Sequence, residues 1–148
     1  MISQTAEYAL RVIAYLSNQP EEPRTTPQIA ETTHVPLPYL SKVIQSLSRA
    51  GLVHSRRGLH GGITLVKQPE SLSVYDVIQA VDPLRRITTC PLGLEAHGTN
   101  LCPLHRRLDD AFLHVEQAFR QSTIADLLGE PTESVPFDLS PLHAPKDS

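Results

Sequence analysis

The chain has 148 residues, 40% hydrophobic, 20% charged and 5% aromatic, with a formal net charge of -3. That length bounds it to one domain, or one small domain with an extension, large enough for a proper core. No cationic stretch leads into an apolar one at the N-terminus, and the longest apolar run, Val12 to Leu16, is far too short to cross a bilayer; a cytoplasmic protein without membrane contact is expected.

A first helix is expected from about Ser3 to Ser17, with Ala6, Ala9, Leu10, Ile13 and Leu16 on its buried face and the Pro20 to Pro23 stretch ending it. A short helix follows from Thr26 to Thr32, with Thr26 as N-cap and Pro27 at the first helical position. A second helix of the pair begins near Pro36. Its apolar stripe is Leu37, Leu40, Val43, Ile44 and Leu47, and its other face offers Tyr39, Ser41, Lys42, Gln45, Ser46 and Arg49.

Gly51 ends that helix, and Leu52 and Val53 change the pattern to extended. Arg56, Arg57, Gly58 and the Gly61-Gly62 pair lie at a turn between two short apolar segments, a hairpin whose tip carries arginines and lets backbone approach a surface closely. Two helices joined by a tight turn, the second polar and basic on its open face, then a basic wing, form the winged helix-turn-helix arrangement that reads the major groove of double-stranded DNA. The candidate DNA-binding residues are Thr26, Pro38, Tyr39, Ser41, Lys42, Gln45, Arg49, Arg56, Arg57 and His60. Between Arg24 and Lys67 the formal charge is +5, leaving -8 for the rest. Such segregation suits a head that docks on phosphates beneath an acidic body.

Ser73-Val74-Tyr75-Asp76 resembles a capping box opening a short helix to about Val81, with Asp where Glu or Gln is usual. An irregular stretch from Asp82 to Leu101 holds Cys90, Pro91, Gly93, His97 and Gly98. The longest helix is expected from Pro103 to about Leu128, roughly 39 Å at 1.5 Å per residue. Leu104, Leu108, Ala111, Phe112, Val115, Ala118 and Phe119 recur along it at threes and fours, and a stripe beyond what a small head can cover finds its partner in another subunit. From Glu130 the chain is proline-rich and without periodicity, as expected of a disordered tail. The fold class expected is mostly α with a small β-wing. A winged helix-turn-helix domain (1–82) is followed by a sensor or effector loop (83–102), a dimerisation helix (103–129) and the tail (130–148).

The chain to about residue 128 resembles the IscR/NsrR-type winged-helix transcription regulators, the Rrf-two family. The resemblance rests on Ala6-Glu7-Tyr8-Ala9-Leu10-Arg11, Pro38-Tyr39-Leu40-Ser41-Lys42, Ser48-Arg49-Ala50-Gly51-Leu52-Val53 and Arg57-Gly58-Leu59-His60-Gly61-Gly62. Asp76-Val77-Ile78-Gln79-Ala80-Val81 and Ile124-Ala125-Asp126-Leu127-Leu128 extend it. It implies a homodimer formed through the long helix, a pseudo-palindromic operator, and sensing of iron-sulfur cluster, nitric oxide or redox status.

The sensor segment departs from the family pattern. Cluster-binding relatives carry Cys-x5-Cys-x5-Cys before the long helix, and in this register stand Cys90, Ala96 and Cys102. Ala96 marks an engineered change, a branch with other ligands, or loss of the cluster. His97 adjoins the vacant position, and His105 lies where some relatives place a histidine ligand. The constellation is Cys90-x6-His97-x4-Cys102-x2-His105. Glu7 occupies the first-helix position from which some relatives supply an oxygen ligand across the dimer. Thiolate and imidazole suit a [2Fe-2S] cluster with mixed ligation and equally suit tetrahedral zinc, and a metal-free thiol sensor is the third alternative. Two cysteines in a reducing compartment argue against a disulfide framework. A cysteine- or metal-dependent enzyme with Cys90 as nucleophile and His97 as base is a distant alternative, because no other feature suggests a substrate pocket. An interaction module without DNA would be favoured if the protein shifted no promoter fragment.

Overall fold

A computed structural model describes residues 2–96 and 100–134. In chain order it contains α1 (Gln4–Ser17), α2 (Thr26–Thr33), α3 (Leu37–Arg49), β1 (Val53–Arg56), β2 (Gly62–Leu65), a 3-10 turn (Pro69–Ser71), α4 (Val74–Val81), α5 (Pro103–Gln121) and α6 (Ile124–Gly129). This is the mostly helical architecture with a two-stranded antiparallel wing that the patterning implies. Among the described residues no helix is long and apolar enough to cross a membrane.

The local signals act through their expected chemistry. Ser3 caps α1, its hydroxyl accepting from the Ala6 amide. At α2 the cap is Thr25 and not Thr26: Thr25 and Gln28 exchange side-chain and backbone bonds in a full capping box, which puts Pro27 one residue inside. Ser73 and Asp76 form the box anticipated for α4, aspartate reaching back to the Ser73 amide at 3.1 Å.

The core gathers Ala6, Ala9, Val12, Ile13 and Leu16 of α1 with Ile29, Leu40, Val43, Leu47, Leu72 and Val77, all buried. α1 is thus the central element against which the others pack. Leu37, placed in the apolar stripe of α3 by periodicity, is instead 50% exposed. It is the first residue of the helix, and the buried side begins at Leu40.

The long C-terminal helix is two helices. α5 ends at Gln121, so it spans about 28 Å and not the expected 39 Å. Thr123 leaves helical geometry to cap α6 in a box with Asp126. The residues between helices pair with the start of α4: Val74 N–H donates to Ser122 O at 2.9 Å and Ile124 N–H to Leu72 O at 2.8 Å. Ile124 is fully buried in the head's core and Leu128 packs against it. The last stretch of the expected dimerisation helix therefore returns to its own head. Of the tail, residues 135–148 lie outside the described residues, so the expectation of disorder there goes untouched.

Candidate nucleic-acid interface and sensor segment

The turn between α2 and α3 is made by His34, which takes the left-handed conformation (φ 55°) at the α2 C-cap, followed by buried Val35 and by Pro36 at the start of α3. A proline there fixes the angle at which α3 leaves the head. Val43, Ile44, Leu40 and Leu47 anchor one side, leaving Pro38, Tyr39, Ser41, Lys42, Gln45 and Arg49 exposed on the other. Ser41 turns its hydroxyl back to donate to Leu37 O at 3.1 Å.

Tyr39 is held from below. Its ring lies 6.0 Å from that of Tyr8 on α1, Arg11 stacks 5.5 Å over Tyr8, and Arg11 Nη1 donates to Thr33 O at 3.2 Å. The same guanidinium pairs with Glu7 at 2.9 Å. Glu7, a candidate oxygen ligand from the sequence, is thus engaged within its own helix, tying α1 to the end of α2. Thr26, at the first turn of α2, is half-buried.

Gly51 (φ 72°) closes α3 in a Schellman arrangement, with Gly51 N–H to Ser48 O and Leu52 N–H to Leu47 O, both 3.0 Å. β1 and β2 then pair from Val53↔Leu65 to Arg56↔Gly62. The wing is also bound on its second edge: Arg24 and Ile63 exchange backbone bonds of 3.0 and 2.7 Å. A Cβ on Gly62 would lie 2.9 Å from Arg24 O, so only glycine permits this approach. Arg24 itself stacks on Tyr15 and binds Glu22 and Gln19. Its charge, counted with the head, is spent on fixing the strap.

An open groove of about 500 Å³ runs between α3 and β1, lined by Lys42, Gln45, Ser48, Arg49 and Ser55. Ser48 and Ser55 escaped sequence reasoning. Ser48, three residues after Gln45 on one helical face, carried a periodic signal that would have found it. Among the described residues Lys42, Arg49, Arg56 and Arg57 enter no ion pair. Those cations and His60 are exposed along the groove and wing.

In the segment expected to act as the sensor, Cys90 is buried and Cys102 half-buried. Cys102 opens α5 as its N-cap and meets His105 one turn on, Sγ to Nδ1 3.4 Å. His97 lies outside the described residues, and Ala96 is exposed. A [2Fe-2S] cluster needs four protein ligands. Among the described residues no group of three or more His, Cys, Asp or Glu is placed to hold a metal; Cys102 and His105 stand together, and His97 lies outside the described residues.

The segment's start is pinned to α5. Asp109 accepts from Arg86 Nε at 2.7 Å and Nη2 at 2.5 Å, and from the Ile87 amide at 2.8 Å. The Arg86 hydrogen bonds hold the Asp109 carboxyl below its usual range, with the Ile87 amide adding to the effect against partial desolvation. Because the folded-state pKa is lowered, this clamp contributes stability above the ordinary carboxylate range and loses it as pH falls through the lowered value. Asp109→Ala is expected to release the Ile87 amide to hydrogen exchange at neutral pH while the head's core amides stay protected. Unchanged Ile87 protection would count against the clamp. α5 is also tied to α4, Arg120 of α5 stacking 3.5 Å over the ring of Tyr75 on α4.

The comparisons with known proteins agree on one kind of molecule. A family profile described as "Rrf2: Iron-dependent Transcriptional regulator" matches residues 2–130. A protein of Aquifex aeolicus (strain VF5), provisionally named an HTH-type transcriptional regulator, is 29% identical over 131 residues, covering 86% of this chain and 91% of that protein. The structure of CymR (YrzC), the global cysteine regulator of B. subtilis, is similar with TM-score 0.70 and 28% identity over 86% of this chain and 95% of that one. T. potens IscR is similar with TM-score 0.71 and 25% identity, over 86% and 85% of the two chains.

Proposed function

The chain belongs to the Rrf2 family of transcriptional regulators, and from that premise we propose that it is a homodimer that grips a pseudo-palindromic operator and adjusts that grip through residues 83–105. The observation that carries the DNA-binding geometry is the basic face, unpaired among the described residues, formed jointly by α3 and the wing. Exposed cations with no internal partner cost little to keep in water and gain counterion release on a phosphate backbone. Helix and wing then divide the work. The Tyr39, Ser41, Lys42 and Gln45 face meets base edges in the major groove, with Pro38 and Arg49 beside it. Arg56, Arg57 and His60 meet phosphate or the adjoining minor groove, and Thr26 meets backbone from α2.

Dimerisation is typical of this family. Here it falls to α5, none of whose 19 residues is buried among the described residues, while Leu104, Leu108 and Phe112 are exposed. Two recognition helices spaced by one turn of DNA, roughly 34 Å, would read a two-fold operator. Catalysis is foreign to the family, whose members are regulators.

The signal is read, in this proposal, by the thiols of the sensor segment. The Cys102–His105 contact is its chemical nucleus, because it sets a thiol and an imidazole, both metal-ligating groups, side by side at a helix start. The Cys102–His105 pair supports direct thiol chemistry, and zinc or the [2Fe-2S] cluster that the resemblance suggests would both draw on Cys90, His97, Cys102 and His105. The clamp at Asp109 gives the segment mechanical purchase on α5.

Anaerobic purification with iron, sulfide and zinc analysis, followed by titration of a duplex selected from random sequence, tests both parts. Wild type should bind the duplex and weaken or tighten severalfold on oxidation or nitric oxide exposure, and Cys102→Ala should be locked in one state. Equal affinities throughout, with no metal bound, would place the signal elsewhere. Two irons and two sulfides per chain would restore the cluster reading.

A further inference from the structure

The wing tip holds one residue that the arginines do not explain. Leu59 is 93% exposed, the barest of the large apolar side chains among the described residues. A single exposed leucine is ordinary on a protein surface. This one stands at the end of a hairpin between Arg57 and His60, the point of the head farthest along the chain from both wing strands' ends.

Its support is tightly determined. Gly58 adopts φ 104°, and the Gly61 amide donates to Gly58 O at 3.0 Å. A Cβ on Gly61 would fall 2.2 Å from Arg56 O. The base of the hairpin is braced on its outer edge by Arg24. An apolar side chain is therefore presented on a small-residue turn, with the exposed Arg56 and Arg57 just before it in the hairpin.

We infer that Leu59 is an apolar wedge for the minor groove of the operator, entering between the sugars and against a base step while Arg56 and Arg57 hold the flanking phosphates. This rests on the DNA-binding reading above and adds a chemistry to it. The arginines supply charge complementarity, and the leucine supplies contact with the one apolar surface a duplex offers at that depth, its sugar edges and stacked base faces. Wedges of this kind partly unstack the step they touch, so the contacted step should be a flexible pyrimidine–purine one such as TA or CA. Leu59 then selects sequence through deformability without a hydrogen bond.

The test uses the full-length protein and a duplex selected from random sequence by wild type, with 2-aminopurine placed at successive positions under the wing. Wild type should raise the fluorescence at one step. Leu59→Ala should abolish that rise and bind about a hundredfold more weakly, about tenfold for each of the two leucines a dimer buries, with the salt slope unchanged because no charge is removed. Leu59→Met, similar in volume, should retain most of both. Wild-type affinity and fluorescence in Leu59→Ala would overturn the wedge, as would a fall in its solution mass with DNA binding intact, which would assign the tip to a second copy of the chain. Failure of wild type to select any duplex would instead strike at the DNA-binding reading itself.

Discussion

Leu108→Asp is expected to yield folded monomers that have lost operator affinity by about two to four orders of magnitude, the advantage that linking two binding heads confers. Leu108 is 44% exposed in the second turn of α5, on the face shared with Leu104 and Phe112, and α5 has no buried residue among the described ones. A carboxylate there cannot be desolvated against a partner's apolar face without a cation to meet it. It costs the isolated chain little, because the position already faces water. Light scattering should move from twice the 16.3 kDa chain mass to that mass, with circular dichroism unchanged. Unmutated protein that already scatters as one chain would remove the dimer from this account.

Replacing Arg56 and Arg57 together by alanine is expected to weaken binding to every duplex and to flatten the salt dependence. Four cations leave a dimer, so the slope of log affinity against log salt should shrink by about 3–4 if each meets a phosphate. Stability should change by less than about 0.5 kcal/mol, since neither side chain has an internal partner among the described residues. Gln45→Ala is the contrasting change: it should keep the slope and relax preference at one base pair. If the double alanine chain bound with an unaltered slope, the wing would not lie on the backbone.

Much of the head was legible because its signals are local. Gly51 after a helical stripe, Ser73 three residues before Asp76, and paired glycines between short apolar runs each fix a backbone event within a few residues, and each event occurs there. Leu37 misled because periodicity does not say which turn first meets the core. The break at Thr123 was hidden for another reason. Apolar residues keep their helical spacing across it, and only Thr123 with Asp126, the same pairing as Ser73 with Asp76, betrays a new start. The bridge that makes the break worthwhile joins positions 50 residues apart in sequence, beyond any local pattern. In the sensor segment the contact between Cys102 and His105 follows from helical spacing, whereas the grip of Asp109 on Arg86 and Ile87 pairs a helix with a loop of no periodicity.

The return of Ile124 to the head bears on the order in which the protein is made. α1 to α4 leave the ribosome first, yet the core they enclose is still missing a fully buried side chain and the two backbone bonds that close it against Leu72 and Val74. At about 5–20 residues per second, roughly two to nine seconds separate the end of α4 from synthesis of Ile124. During that interval the nascent head carries a gap, and the α5 stripe emerges before the gap is filled. If α5 carries the proposed dimer seam, the seal arrives just after the surface for a partner chain, and pairing between neighbouring nascent chains would compete with completion of each head.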